Sequence, residues 1–159
     1  MIWSKCRPLA CVALALGLAT TAAARTGEVL EPVMAGEFAL QAGDLAQAAA
    51  HYLRAAELSA DPGLAERATR IALLADRPAL AEDALARWRA LAPGSASLPG
   101  AALELALARG DEQAAMQGIA ALLALPGDAG LPALVSTLGN AAGERRALAR
   151  RVLRGMFVS

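Results

Sequence analysis

Cysteine is confined to the first eleven residues of this 159-residue chain, as Cys6 and Cys11, and histidine occurs once, as His51. If the leader argued below is removed, the mature chain has no thiol. Disulfides, thiolate metal sites and cysteine nucleophiles are then excluded together, and the absence suits an oxidising compartment. A lone histidine with no second histidine or cysteine cannot build a zinc site. No metal and no other cofactor is expected. Lys5 is the only lysine, so every later cation is an arginine. Residues with β-branched side chains are few and no segment alternates with period two, which argues against strands. The glycines mark turns and form no phosphate-binding loop. Ser59, Ser95, Ser97, Ser136 and Ser159 lie outside any nucleophile elbow. The adjacent acids Glu82-Asp83 and Asp111-Glu112 diverge by about 100° on a helix and do not converge on a substrate. No catalytic residue can be nominated, and the chain does not read as an enzyme.

What is present begins with an export signal. Lys5 and Arg7 supply a positive start, Leu9 to Leu18 an apolar stretch, and Ala22-Ala23-Ala24 the small residues of a cleavage site. Residues 1–24 are expected to be removed after Ala24, which places the mature protein in the periplasm. The alternative is anchoring in the inner membrane by the uncleaved segment, although the apolar run is short for a span of roughly 20 residues. Cys11 stands at the start of the apolar stretch and not at its end, which argues against a lipid anchor.

A linker, residues 25–28, leads into helix signals that arrive in pairs. Val29 to Ala42 ends at Gly43, and Asp44 is placed to cap Leu45 to about Ser59. Asp61-Pro62 opens a helix that runs to about Leu74, since proline at the first helical position lacks only an N–H that has no partner there. Asp76 and Pro78 repeat that start signal for Pro78 to Leu91. Ser97 to Arg109 and Asp111 to Leu125 form a third pair. Leu131 to Ala142 and Glu144 to Phe157, divided by Gly143, form a fourth. The expected class is all-α.

The pairs repeat every 33 to 34 residues. The turn Gly43-Asp44 recurs as Asp76-Arg77 and Gly110-Asp111; Ala48 recurs as Ala81 and Ala115; Tyr52 as Leu85 and Ile119; Ala55 as Trp88 and Leu122. Such a period builds a stack in which each unit covers the apolar face of its neighbour. It favours a binding scaffold over an enzyme.

This pattern resembles the tetratricopeptide repeat family. Counted from Val29, the first unit has Gly36, Gly43, Ala48, Tyr52 and Ala55 at repeat positions eight, fifteen, twenty, twenty-four and twenty-seven, with its proline displaced to Pro62. Counted from Pro62, the second has Asp76, Ala81, Leu85 and Pro93, with Trp88 replacing the small residue at twenty-seven. Counted from Ala96, the third has Gly110, Ala115 and Ile119, with Leu103 at eight and Leu122 at twenty-seven. These departures bear on how tightly the units pack. Leu30-Glu31-Pro32-Val33, Asp61 to Ala68 and Leu91-Ala92-Pro93 also look like a proteobacterial subset of exported envelope adaptors.

The resemblance implies a right-handed superhelix of three to four degenerate antiparallel helix pairs over residues 29–142, followed by a basic amphipathic helix over 143–159. It implies a protein or peptide partner, held in a concave groove by the first helix of each unit. At the family's groove positions stand Leu30, Val33, Glu37 and Leu40, then Glu66, Arg70 and Leu73, then Glu104 and Leu107. The lysine and asparagine clamp with which some members hold a terminal carboxylate is absent, so recognition of a chain end is not expected.

Net charge is zero, but Arg145, Arg146, Arg150, Arg151 and Arg154 gather near the end against the single acid Glu144. A solvated face is the expected meaning; contact with a membrane surface is the alternative, and no nucleic acid is expected. The last helix also carries Leu148, Val152, Leu153, Met156 and Phe157 along one side, with Val158 beyond. That stripe points either to a docking surface or to a chain that is the N-terminal piece of a longer array without activity of its own.

Overall fold

The computed structural model describes residues 27–157, so the proposed leader, Arg25, Val158 and the side chain of Phe157 lie outside the described residues. Eight helices and no strand are found among them: α1 (27–41), α2 (Leu45–Leu58), α3 (Pro62–Leu74), α4 (Pro78–Leu91), α5 (Leu98–Arg109), α6 (Glu112–Leu123), α7 (Gly130–Asn140) and α8 (Gly143–Phe157). The all-α expectation holds. Residues 27 and 28, assigned to the linker on sequence, are already helical.

The turns reproduce the period in backbone geometry. Gly43, Asp76 and Gly110 take positive φ angles of 77°, 54° and 72°. In each turn the next residue's N–H bonds back to a carbonyl five residues earlier: Asp44 to Ala39, Arg77 to Ala72 and Asp111 to Ala106, all at 2.9 Å. This left-handed closure satisfies carbonyls that a helix end leaves unpaired. Asp76 is the one residue other than glycine with positive φ among those described, and aspartate tolerates that region better than most residues.

Aspartate caps explain three of the helix starts. The Asp44 carboxylate accepts from the Gln47 N–H, that of Asp61 from Gly63, and that of Asp111 from Ala114. The start signal expected at Asp76 is corrected. Asp61 directly precedes its proline, whereas Arg77 separates Asp76 from Pro78, so Arg77 becomes the N-cap residue and makes no side-chain cap bond. Asp76 is left in the turn, where its carboxylate accepts from Arg145 of α8.

Packing follows chain order. Helix α3 lies against α2 and α4, α5 against α4 and α6, and α2 also touches α4. Gly36 of α1 allows a close approach, because a Cβ there would meet the Tyr52 ring at 2.8 Å. The fourth pair departs from expectation: α7 and α8 both pack on α5 and α6 but barely on each other. Leu148 and Val152 of α8 are buried in that contact, so much of the last helix's apolar stripe is core.

Two clusters form the interior. The first joins Ala48, Ala49, Tyr52, Ala56, Ala65, Ala68, Ala72, Ala81, Ala84, Leu85 and Trp88 with Leu98 and Leu105 of α5. The second gathers Leu103 and Leu107 from the other side of α5 with Ile119, Leu122, Leu134, Leu148 and Val152. Helix α5 is therefore shared. Buried polar side chains are satisfied; the hydroxyl of Thr69, for example, donates to the Ala65 carbonyl at 2.8 Å.

Candidate binding surface

The helices α3, α5 and α7 bring residues at the ninth and twelfth offsets of the period together. In α3 these are Arg70 and Leu73, in α5 Glu104 and Leu107, and in α7 Thr137 and Asn140. All six line a single cavity of about 370 Å³, closed by Leu74, Ala141 and Arg145. Three successive helices of the repeat thus contribute equivalent positions to one hollow. Four of the nine residues nominated on sequence meet there: Arg70, Leu73, Glu104 and Leu107. Leu107 is buried and belongs to the cavity floor and the second cluster together. Leu74, at 74% exposure, stands at the rim.

The remaining nominees lie elsewhere or are engaged. Glu66 is the ion-pair partner of Arg70, one helical turn away at 2.6 Å. Leu30 is exposed on α1, and Val33 and Leu40 pack against the first cluster. Glu37 accepts the Tyr52 hydroxyl and pairs with Arg67 at 2.7 Å. The Arg67 guanidinium lies 4.7 Å from the centre of the Tyr52 ring. Glu37, Tyr52 and Arg67 accordingly tie α1, α2 and α3 together. Burial first, and the bond to Glu37 second, push the Tyr52 hydroxyl pKa up to about 12, with Arg67 working against them.

Within the cavity the electrostatics centre on Glu104. Burial raises its carboxyl above the usual range, while Arg70 and then Arg145 pull it back. Arg70 is held by Glu66, and Arg145 by Asp76. Glu104 itself has no ion pair among the described residues, so both arginines act on it from beyond pairing distance.

Sequence reasoning missed Thr137, Asn140 and Arg145. The first two were within reach, since the ninth and twelfth offsets continued into the fourth unit select them. Arg145 was not, because only the tertiary structure brings the start of α8 beside the α3–α4 turn.

A second, larger hollow of about 920 Å³ opens between α4, α5 and α6. Helices α2 and α4 touch, as do α6 and α8, but α4 and α6 stand apart. Alanines and Gly118 line much of it, and the ion pair between Glu82 and Arg109 spans one side. His51 lines a separate shallow cleft with Glu31 and Arg54. No cluster of three potential metal ligands occurs among the described residues, and none of their helices is long and apolar enough to cross a membrane. Comparison with family models, curated proteins and solved structures returns no match.

Proposed function

We propose that this chain is an exported, periplasmic scaffold of tetratricopeptide-like repeats that holds a protein or peptide partner against the face built by α3, α5 and α7. The observation that carries the reading is the recurrence of repeat positions nine and twelve, from three successive units, around one cavity. A hollow of this size, with apolar walls and a few converging polar groups, has the character of a ligand site. The period in the turns and the neighbour-to-neighbour packing support a superhelical stack whose concave side carries this face.

Site-specific photo-crosslinking in cells tests the reading. A photoreactive residue at Leu74 is expected to give discrete adducts, while the same group at exposed Ala120 on α6 gives none. Equal labelling at both positions, or none at Leu74, would sink the proposal. Export is checked independently by the mature N-terminus, expected at Arg25.

A second reading is favoured by one observation. Arg146, Arg150 and Arg154 fall at four-residue spacing on the solvent side of α8, away from buried Leu148, Ala149 and Val152. Such a ridge suits an anionic membrane surface. Salt-sensitive cosedimentation with anionic vesicles, lost when these three arginines become glutamine, would establish it in place of a purely solvated face.

A further inference from the structure

We propose that the cavity between α3, α5, α7 and α8 receives one cationic side chain, lysine or arginine, of the bound polypeptide, with Glu104 as its counter-ion. The inference rests on the scaffold reading and specifies what that face recognises.

Three charged residues line the cavity, Arg70, Arg145 and Glu104, and each arginine pairs with a carboxylate outside the lining, Glu66 and Asp76 respectively. The two arginines are thus already matched, and Glu104 is the lining charge without an ion pair among the described residues. Both arginines already have carboxylate partners, so an acidic ligand would have to share them with Glu66 or Asp76 while sitting beside Glu104. A cationic ligand displaces nothing.

Burial reinforces the choice. A partly desolvated carboxylate is disfavoured in its charged form unless an opposite charge approaches. Burial acts on Glu104 in this way and the two distant arginines offset it in part. An ammonium or guanidinium at hydrogen-bonding distance would supply what they do not. The walls suit the rest of such a side chain, because Leu73, Leu107 and Ala141 offer apolar surface to an aliphatic stem whose charged head reaches Glu104. Thr137 and Asn140 from α7 add uncharged polar groups, and α4 and α6 bring no charged side chain into the cavity. At about 370 Å³ the space admits a side chain and its immediate neighbours, not a whole helix.

Three labelled, blocked pentapeptides provide the test, each Ala-Leu-Xaa-Leu-Ala with lysine, norleucine or glutamate at the centre. Their affinity for the full chain is read by fluorescence anisotropy. The lysine peptide is expected to bind about tenfold tighter than the norleucine peptide, the size of one charge-assisted hydrogen bond. Glu104→Gln should abolish that preference without changing thermal unfolding. As pH falls, the preference should fade as Glu104 takes up a proton, at a higher pH than an ordinary carboxylate would require, and the variant should show no such fade. Preference for the glutamate peptide would overturn the inference in favour of an anion site on Arg70 and Arg145. Equal binding of all three peptides, lost in Leu74→Asp, would overturn the counter-ion role and leave the docking face standing. No binding by any peptide would overturn the inference and count against that face as well.

Discussion

The two interior clusters solve the same problem with different residues. In the first, alanines at Ala48, Ala49, Ala56, Ala65, Ala68, Ala72, Ala81 and Ala84 are fully buried, and two aromatics, Tyr52 and Trp88, fill the space that remains. Helices α2, α3 and α4 pack along long stretches. In the second, leucine, isoleucine and valine dominate, no aromatic takes part among the described side chains, and α7 and α8 rest on α5 and α6 with little contact between themselves. Small side chains let backbones approach, and one large ring can then bridge a whole unit; branched aliphatics of similar size hold helices apart.

The junction between the clusters shows this at one repeat position. Ala55 stands at position twenty-seven in the first unit, and the next helix, α3, packs closely on α2. Trp88 holds the same place in the second unit, buried with Leu98 and Leu105; α5 packs on α4 less extensively, and the large hollow opens beyond. The bulkier residue at this position thus coincides with the less extensive helix contact.

At position eight the two halves keep close packing by opposite means. Gly36 makes room on α1 for the Tyr52 ring; in the third unit Leu103 is the large residue and Gly118 on α6 makes room for it. Gly36→Ala is expected to destabilise by about 1–3 kcal/mol in urea unfolding, since overpacking forces displacement. Gly118→Ala should cost a similar amount. The comparison sharpens in double-mutant cycles. A Cβ at residue 36 would strike side-chain atoms of Tyr52, so Tyr52→Ala should remove most of the penalty. A Cβ at residue 118 would approach Cβ at 3.0 Å and Cα at 3.1 Å of Leu103, so Leu103→Ala should not. Equal relief in both cycles would break the contrast.

Only the first half carries the phenol clasp, and its pH dependence follows from its sign. The folded-state pKa of Tyr52 is raised to about 12 from the ordinary phenol value of 10.0. The folded chain therefore keeps a proton that the unfolded chain loses, and the associated stability is fully present below pH 10 and lost as pH rises toward 12. Tyr52 is the only tyrosine and Lys5 the only lysine, so little else titrates in this window. Tyr52→Phe is expected to lose about 1 kcal/mol at neutral pH, the hydrogen bond to Glu37. It should also flatten the fall in urea midpoint between pH 10 and 12; a parallel fall in the variant would remove the phenol as its cause.

The smallest expected effect lies at a helix start. Asp44 and Asp111 cap α2 and α6, whereas Arg77 at the start of α4 offers no acceptor. Arg77→Asp is expected to stabilise by about 0.5–1 kcal/mol, with an unchanged slope in urea unfolding. No gain would mean that the close-packed half does not feel the end of this helix.

Much of the architecture is legible in the chain. Turn residues at a fixed period, aspartates before helix starts and alanines at constant offsets act through local geometry, which depends on a few neighbouring residues. The candidate face was legible in part for the same reason: equal offsets in a repeat return to the same side, which brought Arg70, Leu73, Glu104 and Leu107 together. Glu37 shares the offset of Arg70 and Glu104, yet the Tyr52 ring beside it draws its carboxylate into a structural bond. The link from Arg145 to Asp76 joins residues 69 apart and has no signature in either segment.

The residues alone fix the helical class, the periodic turns and which residues recur at equivalent places. What each place is for depends on how the helices pack. Phe38, Ile71 and Leu105 occupy the same position in three units, yet Phe38 is 62% exposed while the other two are each 7% exposed. Phe38 lies on the first helix of the described stack, with no described unit before it to cover that side. In a stack, burial is a property of the neighbouring unit and not of the residue, so a repeat can specify its own helices without specifying which of their faces stay open.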